Sequence, residues 1–309
     1  METGLKLMPK TDLLPSNKVD VNSKIVNIST VPQRSPFRYA GGKTWLIPKI
    51  RQWLNEREHS SKELIEPFAG GGIVSLTAAC ENLVHRVTMV EKDEGVAAVW
   101  QIVLNGGAQW LANRIVNFQL TPESAKEVIE KANESLESLA FATIVKNRVN
   151  RGGILADGAS FVKKGENGKG IRSRWYPETL KKRILAIGRV KDKINFIQGD
   201  GFDVCQQNSS REDVIYFIDP PYTKTGKRLY RYSEVNHQQL FALAARLKGD
   251  FLMTYNDAAE LREMGKFYNF EMKEVAMKNT HHAKKSELLI SKNLAWLSSE
   301  VTKKPTDKN

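Results

Sequence analysis

Asp219-Pro220-Pro221-Tyr222 follows the apolar run Val214-Ile215-Tyr216-Phe217-Ile218 and packs a carboxylate, two prolines and a phenol ring into four positions. Proline has no N–H and a fixed φ, and the residue before it is pushed extended. The corner is therefore stiff, and its carbonyls are not consumed by a continuing helix. A carboxylate, a free carbonyl and a flat ring side by side suit an exocyclic amino group on a planar heterocycle. The two acceptors grip the amine and the ring stacks on the base. In open α/β sheets ligands bind at the carboxyl ends of strands, which is where this corner falls.

Two further motifs prepare a place for a second reactant. Glu66-Pro67-Phe68-Ala69-Gly70-Gly71-Gly72 directly follows Leu64-Ile65 and opens a helical pattern. Strand, glycine turn and helix together form the entry of dinucleotide-type folds, where missing Cβ atoms let a ligand approach the backbone. Glu91 ends the next apolar run, nineteen residues past Gly72. An acid there typically takes the two ribose hydroxyls of an adenosine-containing cofactor. A third motif, Pro36-Phe37-Arg38-Tyr39-Ala40-Gly41-Gly42-Lys43-Thr44, invites a rival reading as the phosphate-binding loop of a nucleotide triphosphatase. That loop needs a glycine five residues before Gly42, where this chain has Phe37. The rival also leaves both the glycine turn and the Pro-Pro corner unexplained.

The elements that must carry these motifs alternate between short apolar runs and helical patterns, which predicts a mostly parallel sheet. Strands are expected at Glu63–Ile65, Val87–Glu91, Asn195–Ile197, Val214–Asp219, Phe251–Tyr255 and Glu287–Ser291. Helices are expected at Thr44–Asn55, Gly72–Glu81, Gly95–Leu104, Pro122–Lys146, His237–Leu247 and Ala258–Met264. Trp45, Leu46, Ile50, Trp53 and Leu54 recur at helical spacing and read as core. Residues 1–33 and 299–309 are polar, lack amphipathic periodicity and read as loose ends. The core domain is expected to consist of 34–104 and 191–298, interrupted by an inserted helical, basic domain at 105–190.

Charge singles out that insert. The 309-residue chain has a net charge of +12, and between Phe141 and Val190 twelve Lys/Arg face three Asp/Glu. Gly152, Gly153, Gly158, Gly165, Gly168 and Gly170 fall in the same stretch, beside Asn147-Arg148, Asn150-Arg151 and Arg172-Ser173-Arg174. A solvated face would mix the two signs more evenly. A polyanionic partner is therefore expected, with Asn147, Arg148, Arg151, Arg172, Arg174 and the later Lys284 as contacts to nucleic acid. The two cysteines, Cys80 and Cys205, give neither a disulfide framework nor zinc spacing. Adjacent His281 and His282 lack further ligands, so no metal site is expected. No apolar run is long enough to span a bilayer and no signal-peptide pattern appears, so a cytoplasmic protein is expected, associated with the nucleoid when it acts.

Together these motifs resemble the Dam-type, alpha-group N6-adenine DNA methyltransferases. Their order looks the same: cofactor motifs, then a target-recognition insert, then DPPY. The resemblance runs from about Ser35 to Lys292 and takes in Thr254-Tyr255-Asn256-Asp257 and Lys284-Lys285-Ser286-Glu287-Leu288-Leu289. It implies a Rossmann-like α/β sheet with helices on both faces and an inserted target-recognition domain. It also implies S-adenosylmethionine (SAM) as cofactor, double-stranded DNA as substrate and adenine N6 as acceptor. Carried over by motif, the cofactor residues are Tyr39, Lys43, Phe68, Ala69, Gly70, Gly71, Gly72, Glu91, Asp200 and Asp219. The catalytic corner is Asp219, Pro220, Pro221 and Tyr222. Position 39 is Tyr where many relatives carry Trp, and position 91 is Glu where many carry Asp. Both changes keep the chemistry, a flat ring and a carboxylate. A monomer is expected, with a cognate restriction endonuclease as a possible partner; a solitary or phage-borne enzyme would lack one. Two alternatives stand beside this expectation: methylation of another planar amine, RNA adenine or cytosine N4, and a DNA-binding protein whose methylase site has decayed.

Overall fold

The computed structural model describes residues 31–39, 41–56, 62–156, 158–221, 234–278 and 284–297. Seven strands form one sheet: β1 Glu63–Glu66, β2 Arg86–Glu91, β3 Ile194–Gln198, β4 Val214–Ile218, β5 Asp250–Asn256, β6 Glu271–Lys278 and β7 Lys284–Ser291. Their spatial order is β3-β2-β1-β4-β5-β7-β6. Strands β1 to β5 pair in parallel, and β7 lies antiparallel between β5 and β6. The chain order reverses between β1 and β4, so their carboxyl ends part to leave a crevice.

The helices are α1 Ile47–Glu56, α2 Ile73–Cys80, α3 Glu94–Ile102, α4 Ala108–Val116, α5 Pro122–Glu130, α6 Leu136–Val149, α7 Pro177–Gly188, α8 Gly201–Gln207, α9 His237–Arg246 and α10 Ala259–Phe267. Strand periodicity sorts them onto two faces. Along β4, Ile215 and Phe217 join a core built with α1, α2, α3 and the insert helices. Val214, Tyr216 and Ile218 join the opposite core, with α8, α9 and α10. All five residues of β4 are buried. A strand covered on both faces reads as an unbroken apolar run rather than an alternating one.

All six expected strands are present, and the structure adds β6. Its sequence, Glu-Met-Lys-Glu-Val-Ala-Met-Lys, has a single β-branched residue and suits an edge strand with a solvated face. The helix expected over Pro122–Lys146 is two helices. Thr121 caps α5 through a reciprocal capping box with Ser124, and the Ser135 hydroxyl starts α6 by accepting the Ser138 N–H. The loose N-terminal stretch expected through residue 33 also needs correction: Val31 is buried in the core and Gln33 lines the crevice. Trp45, Leu46, Ile50, Trp53 and Leu54 are core, as their spacing predicts. His281, His282 and the tail from 299 lie outside the described residues. Among the described residues no helix is long and apolar enough to cross a membrane.

Candidate functional site: a cleft at the sheet crevice

A cleft of about 1140 Å³ opens over the carboxyl ends of β1, β2 and β4. It collects Tyr39, Lys43, the turn from Phe68 to Gly72, Glu91, Asp200, Asp219, Pro220 and Pro221, although these residues are spread over more than 180 positions of the chain. The glycine turn and the acid–proline corner thus face one space. Tyr222 lies outside the described residues.

The strand order explains the convergence. β4 lies beside β1 and delivers Asp219 next to the turn that leaves β1. β5 lies on the other side of β4, with Ile218 paired to Met253, so the next residue, Thr254, stands beside Asp219. The Thr254 hydroxyl donates to Asp219 Oδ1 at 2.7 Å. Lys43 Nζ sits 2.8 Å from Oδ2 and also donates to the Gly41 carbonyl at 2.8 Å. Each carboxylate oxygen therefore has its own donor, and the plane of Asp219 is fixed. Lys43 is 2% exposed, and Glu287 on β7 lies 3.7 Å from its ammonium.

Glu66 ends β1 inside the same cleft and accepts the Ser75 N–H at 2.9 Å. Burial pushes its carboxyl up to about 8; the Ser75 bonds oppose this, Asp219 adds to it and Lys43 counters. Glu66 is thus a neutral acid at pH 7 beside an ion pair. Glu91 behaves differently. Its Oε1 accepts the N–H groups of Lys92 and Asp93, and its Oε2 that of Gly70, all at 2.8 Å. Burial raises it to about 7 against those three donors. A carboxylate offers about four lone-pair directions, so among the described residues one direction on Oε2 is left for a hydroxyl. Asp200 caps α8 by accepting the Phe202 N–H at 2.9 Å and pairs with Lys92 at 2.9 Å. Burial works against its ionisation, but these partners hold it below the usual carboxylate range. The rings of Phe68 and Phe202 meet edge to face, with centroids 6.1 Å apart, and give this end of the cleft an apolar wall.

The glycines serve a purpose that differs from the one their sequence suggests. Gly70 has φ +49°, and a Cβ there would lie 2.5 Å from the Tyr39 ring. Gly72 has φ +63°, and its Cβ would lie 2.5 Å from Met89 Cε. The space freed at both positions is filled by the protein's own side chains. Trp100 completes the support by donating from Nε1 to the Gly70 carbonyl at 3.1 Å.

The residues expected to meet nucleic acid fall into four groups. Arg151 and Arg172 are exposed, with Arg172 anchored by its Nε on the Leu120 carbonyl. Arg148 and Arg174 line the cleft. Asn147 corrects the expectation: it is fully buried, its Oδ1 accepts the Arg38 N–H, and its amide donates to the Arg38 and Gly153 carbonyls. That side chain is a bracket inside the fold with no edge to offer a partner. The backbone of Lys284 starts β7, but its side chain lies outside the described residues. Sequence reasoning gave no role to Glu66, Thr254 or Glu287, which the structure places in or against the cleft. Glu66 ends β1, whereas Thr254 and Glu287 lie inside β5 and β7; all three fall within the motif stretches that carry the family resemblance, and that was the signal in the sequence.

Residues 39–93 match the family of D12 class N6 adenine-specific DNA methyltransferases. That stretch contains Tyr39, Lys43, the glycine turn and Glu91. No curated protein matches the chain. Solved structures with a similar course include precorrin-6y C5,15-methyltransferase from Geobacter metallireducens, 11% identical, with a TM-score of 0.36 over 82% of this chain and 91% of that one. The METTL16 methyltransferase domain is 8% identical, with a TM-score of 0.39 over 81% and 68%. The tRNA methyltransferase TrmK from B. subtilis is 12% identical, with a TM-score of 0.33 over 79% and 64%. Likenesses this distant say nothing about substrate. The sheet order and the crevice at the β1/β4 reversal are those of a Rossmann-like methyltransferase fold. Methyltransferases of this fold draw their methyl group from SAM. The cleft suits that molecule: an apolar wall at Phe68 and Phe202 for a purine, an open acceptor on Glu91 for a ribose hydroxyl, and the Asp219 carboxylate, beside the neutral acid of Glu66, toward an ammonium end.

Proposed function

We propose that this protein moves a methyl group from SAM to N6 of an adenine extruded from double-stranded DNA. One observation carries the reading: Asp219 and the Pro-Pro corner share a single cleft with the glycine turn and Glu91. A base amine held at the corner would then lie beside a donor held by the turn. The short D12 family match and the basic insert support the choice of adenine in DNA.

The N6 lone pair of adenine is delocalised into the ring, so the amine is a poor nucleophile. Asp219 and the Pro220 carbonyl would each accept one of its N–H bonds. That favours a pyramidal nitrogen with its lone pair directed away from the two acceptors. Thr254 and Lys43 keep the carboxylate plane fixed while this happens, so no reorganisation is required at the moment of reaction. An incoming amine shares Oδ2 with Lys43 or displaces it. SAM supplies, when bound, an electrophilic methyl on a sulfonium that leaves as a neutral thioether, and the methylated nitrogen sheds its extra proton through the Asp219 carboxylate to solvent. Orienting two reactants in line can itself supply up to about 7–11 kcal/mol of the barrier. Duplex DNA hides N6 in the base stack, so the base must be flipped at a cost of a few kcal/mol.

Tritium transfer from labelled SAM to duplex DNA, followed by nucleoside analysis, tests the proposal. Label in N6-methyldeoxyadenosine is expected. Label in N4-methyldeoxycytidine, or in RNA alone, would replace the acceptor, and tight DNA binding without transfer would point to a decayed site.

A further inference from the structure

Four arginines enter the cleft from three different parts of the chain: Arg38 before the Gly41-Gly42 turn, Arg148 at the end of α6, Arg174 before α7 and Arg183 within it. Two of them are pinned to one short segment, Arg183 by its Nη1 on the Ser35 carbonyl at 3.0 Å and Arg148 by its Nη2 on the Pro36 carbonyl. Asn147 clamps the Arg38 backbone to the same place. Arg148 is 4% exposed, and its Nε is buried without a hydrogen-bond partner. Burial and the charges of Arg183, Arg38 and Arg174 push its guanidinium down to about 9. Tyr176, 49% exposed, stands at the same wall.

Gathering like charges in a half-desolvated cleft is unfavourable unless an anion joins them. Guanidinium forks match phosphate oxygens in pairs, and a neighbouring exposed aromatic ring offers a stacking surface. A base turned out of a duplex brings its flanking phosphates to the mouth of the pocket that receives it. We propose that Arg38, Arg148, Arg174 and Arg183 form a phosphodiester subsite inside the cleft, gripping the DNA backbone beside the extruded base, with Tyr176 stacking on a neighbouring base. Its choice of DNA rests on the function proposed above.

The test measures duplex DNA affinity of the full chain across salt concentrations for wild type and for Arg174→Gln, Arg183→Gln, Tyr176→Ala and Lys182→Gln. Each arginine change is expected to weaken binding and to flatten the plot of log K against log salt by about 0.9 for every phosphate no longer neutralised. Tyr176→Ala is expected to lose about 5- to 150-fold in affinity with an unchanged slope. Lys182 is exposed, adjoins Arg183 and does not line the cleft, so Lys182→Gln should match wild type. Unchanged slopes in both arginine variants, or equal flattening by Lys182→Gln, would overturn the subsite. So would a tenfold loss of SAM affinity with the slope intact, because the arginines would then be holding the carboxylate of the cofactor. Wild-type methyl transfer is measured in parallel. Flattened slopes without any transfer to adenine would retire the enzymatic reading and leave the subsite standing. Transfer with unaltered slopes would do the reverse.

Discussion

Asp219 owes its orientation to two donors, and the two can be separated by substitution. Asp219→Ala should lose nearly all methyl transfer and keep much of the DNA affinity, since Arg183 and Arg148 are held by the Ser35 and Pro36 carbonyls and not by Asp219; undiminished turnover would remove Asp219 from the chemistry. Thr254→Val keeps the shape of a buried β-branched residue and deletes only the hydroxyl on Oδ1. A hydrogen bond to a charged group is worth about 1.5–3 kcal/mol, so kcat should fall about tenfold or more with little change in KM. Thr254→Ser should restore it, and equal kinetics in all three proteins would mean that Asp219 is held by other means. Glu66 makes a different prediction. Its pKa of about 8 stands above the ordinary carboxyl value of 4.5, so the folded state holds a proton that the unfolded chain releases. Its contribution is fully present below pH 4.5 and lost as pH rises through 8. The difference in urea midpoint between wild type and Glu66→Gln should therefore shift against wild type from pH 5 to pH 9. A constant difference across that range would show that Glu66 is ionised throughout.

The β1–α2 turn shows how an element can be read correctly for the wrong reason. Gly70 and Gly72 both have positive φ, a region that costs other residues roughly 1–2 kcal/mol. At Gly70 the neighbour in the way is the Tyr39 ring. Gly70→Ala should therefore both destabilise the protein and displace Tyr39 from the cleft wall. The two effects part in a double-mutant cycle: in a Tyr39→Ala background the clash disappears and only the backbone strain remains. Additive losses would mean that Tyr39 yields without cost. From sequence, a glycine shows that a Cβ is forbidden but not what forbids it, because Tyr39 lies thirty-one residues away. The same limit explains the other differences. Buried strands such as β4 announce themselves by continuous apolar runs, whereas β6, with a solvated face and two methionines, does not. Helix α7 carries a proline at its first turn and apolar residues at helical spacing, so its signals were present in the sequence although no helix was expected there. The convergence of Asp219, Thr254 and Lys43 depends on strand order, which no local pattern encodes.

At the scale of the whole molecule, the insert shares its core with the sheet. Trp53 on α1, Met89 on β2, Trp100 on α3, Ile144 on α6, Leu180 on α7 and Phe217 on β4 belong to one continuous buried cluster. Residues 105–190 form a stretch distinct in charge, yet α6 packs on α3, and α4 and α5 pack in turn on α6. A segment anchored in this way cannot rock freely, which suits a cleft whose walls come from both parts of the chain. The consequence is a single cooperative unfolding transition. Ile144→Ala should cost about 2–5 kcal/mol through the smaller apolar burial and the cavity left behind. The whole transition should move by that amount, whether followed by helical circular dichroism or by tryptophan fluorescence, to which Trp53 and Trp296 of the sheet domain contribute. If the insert were instead an autonomous unit, Ile144→Ala would split the curve. The helical signal would then fall first, and the tryptophans of the sheet domain would melt at the wild-type midpoint.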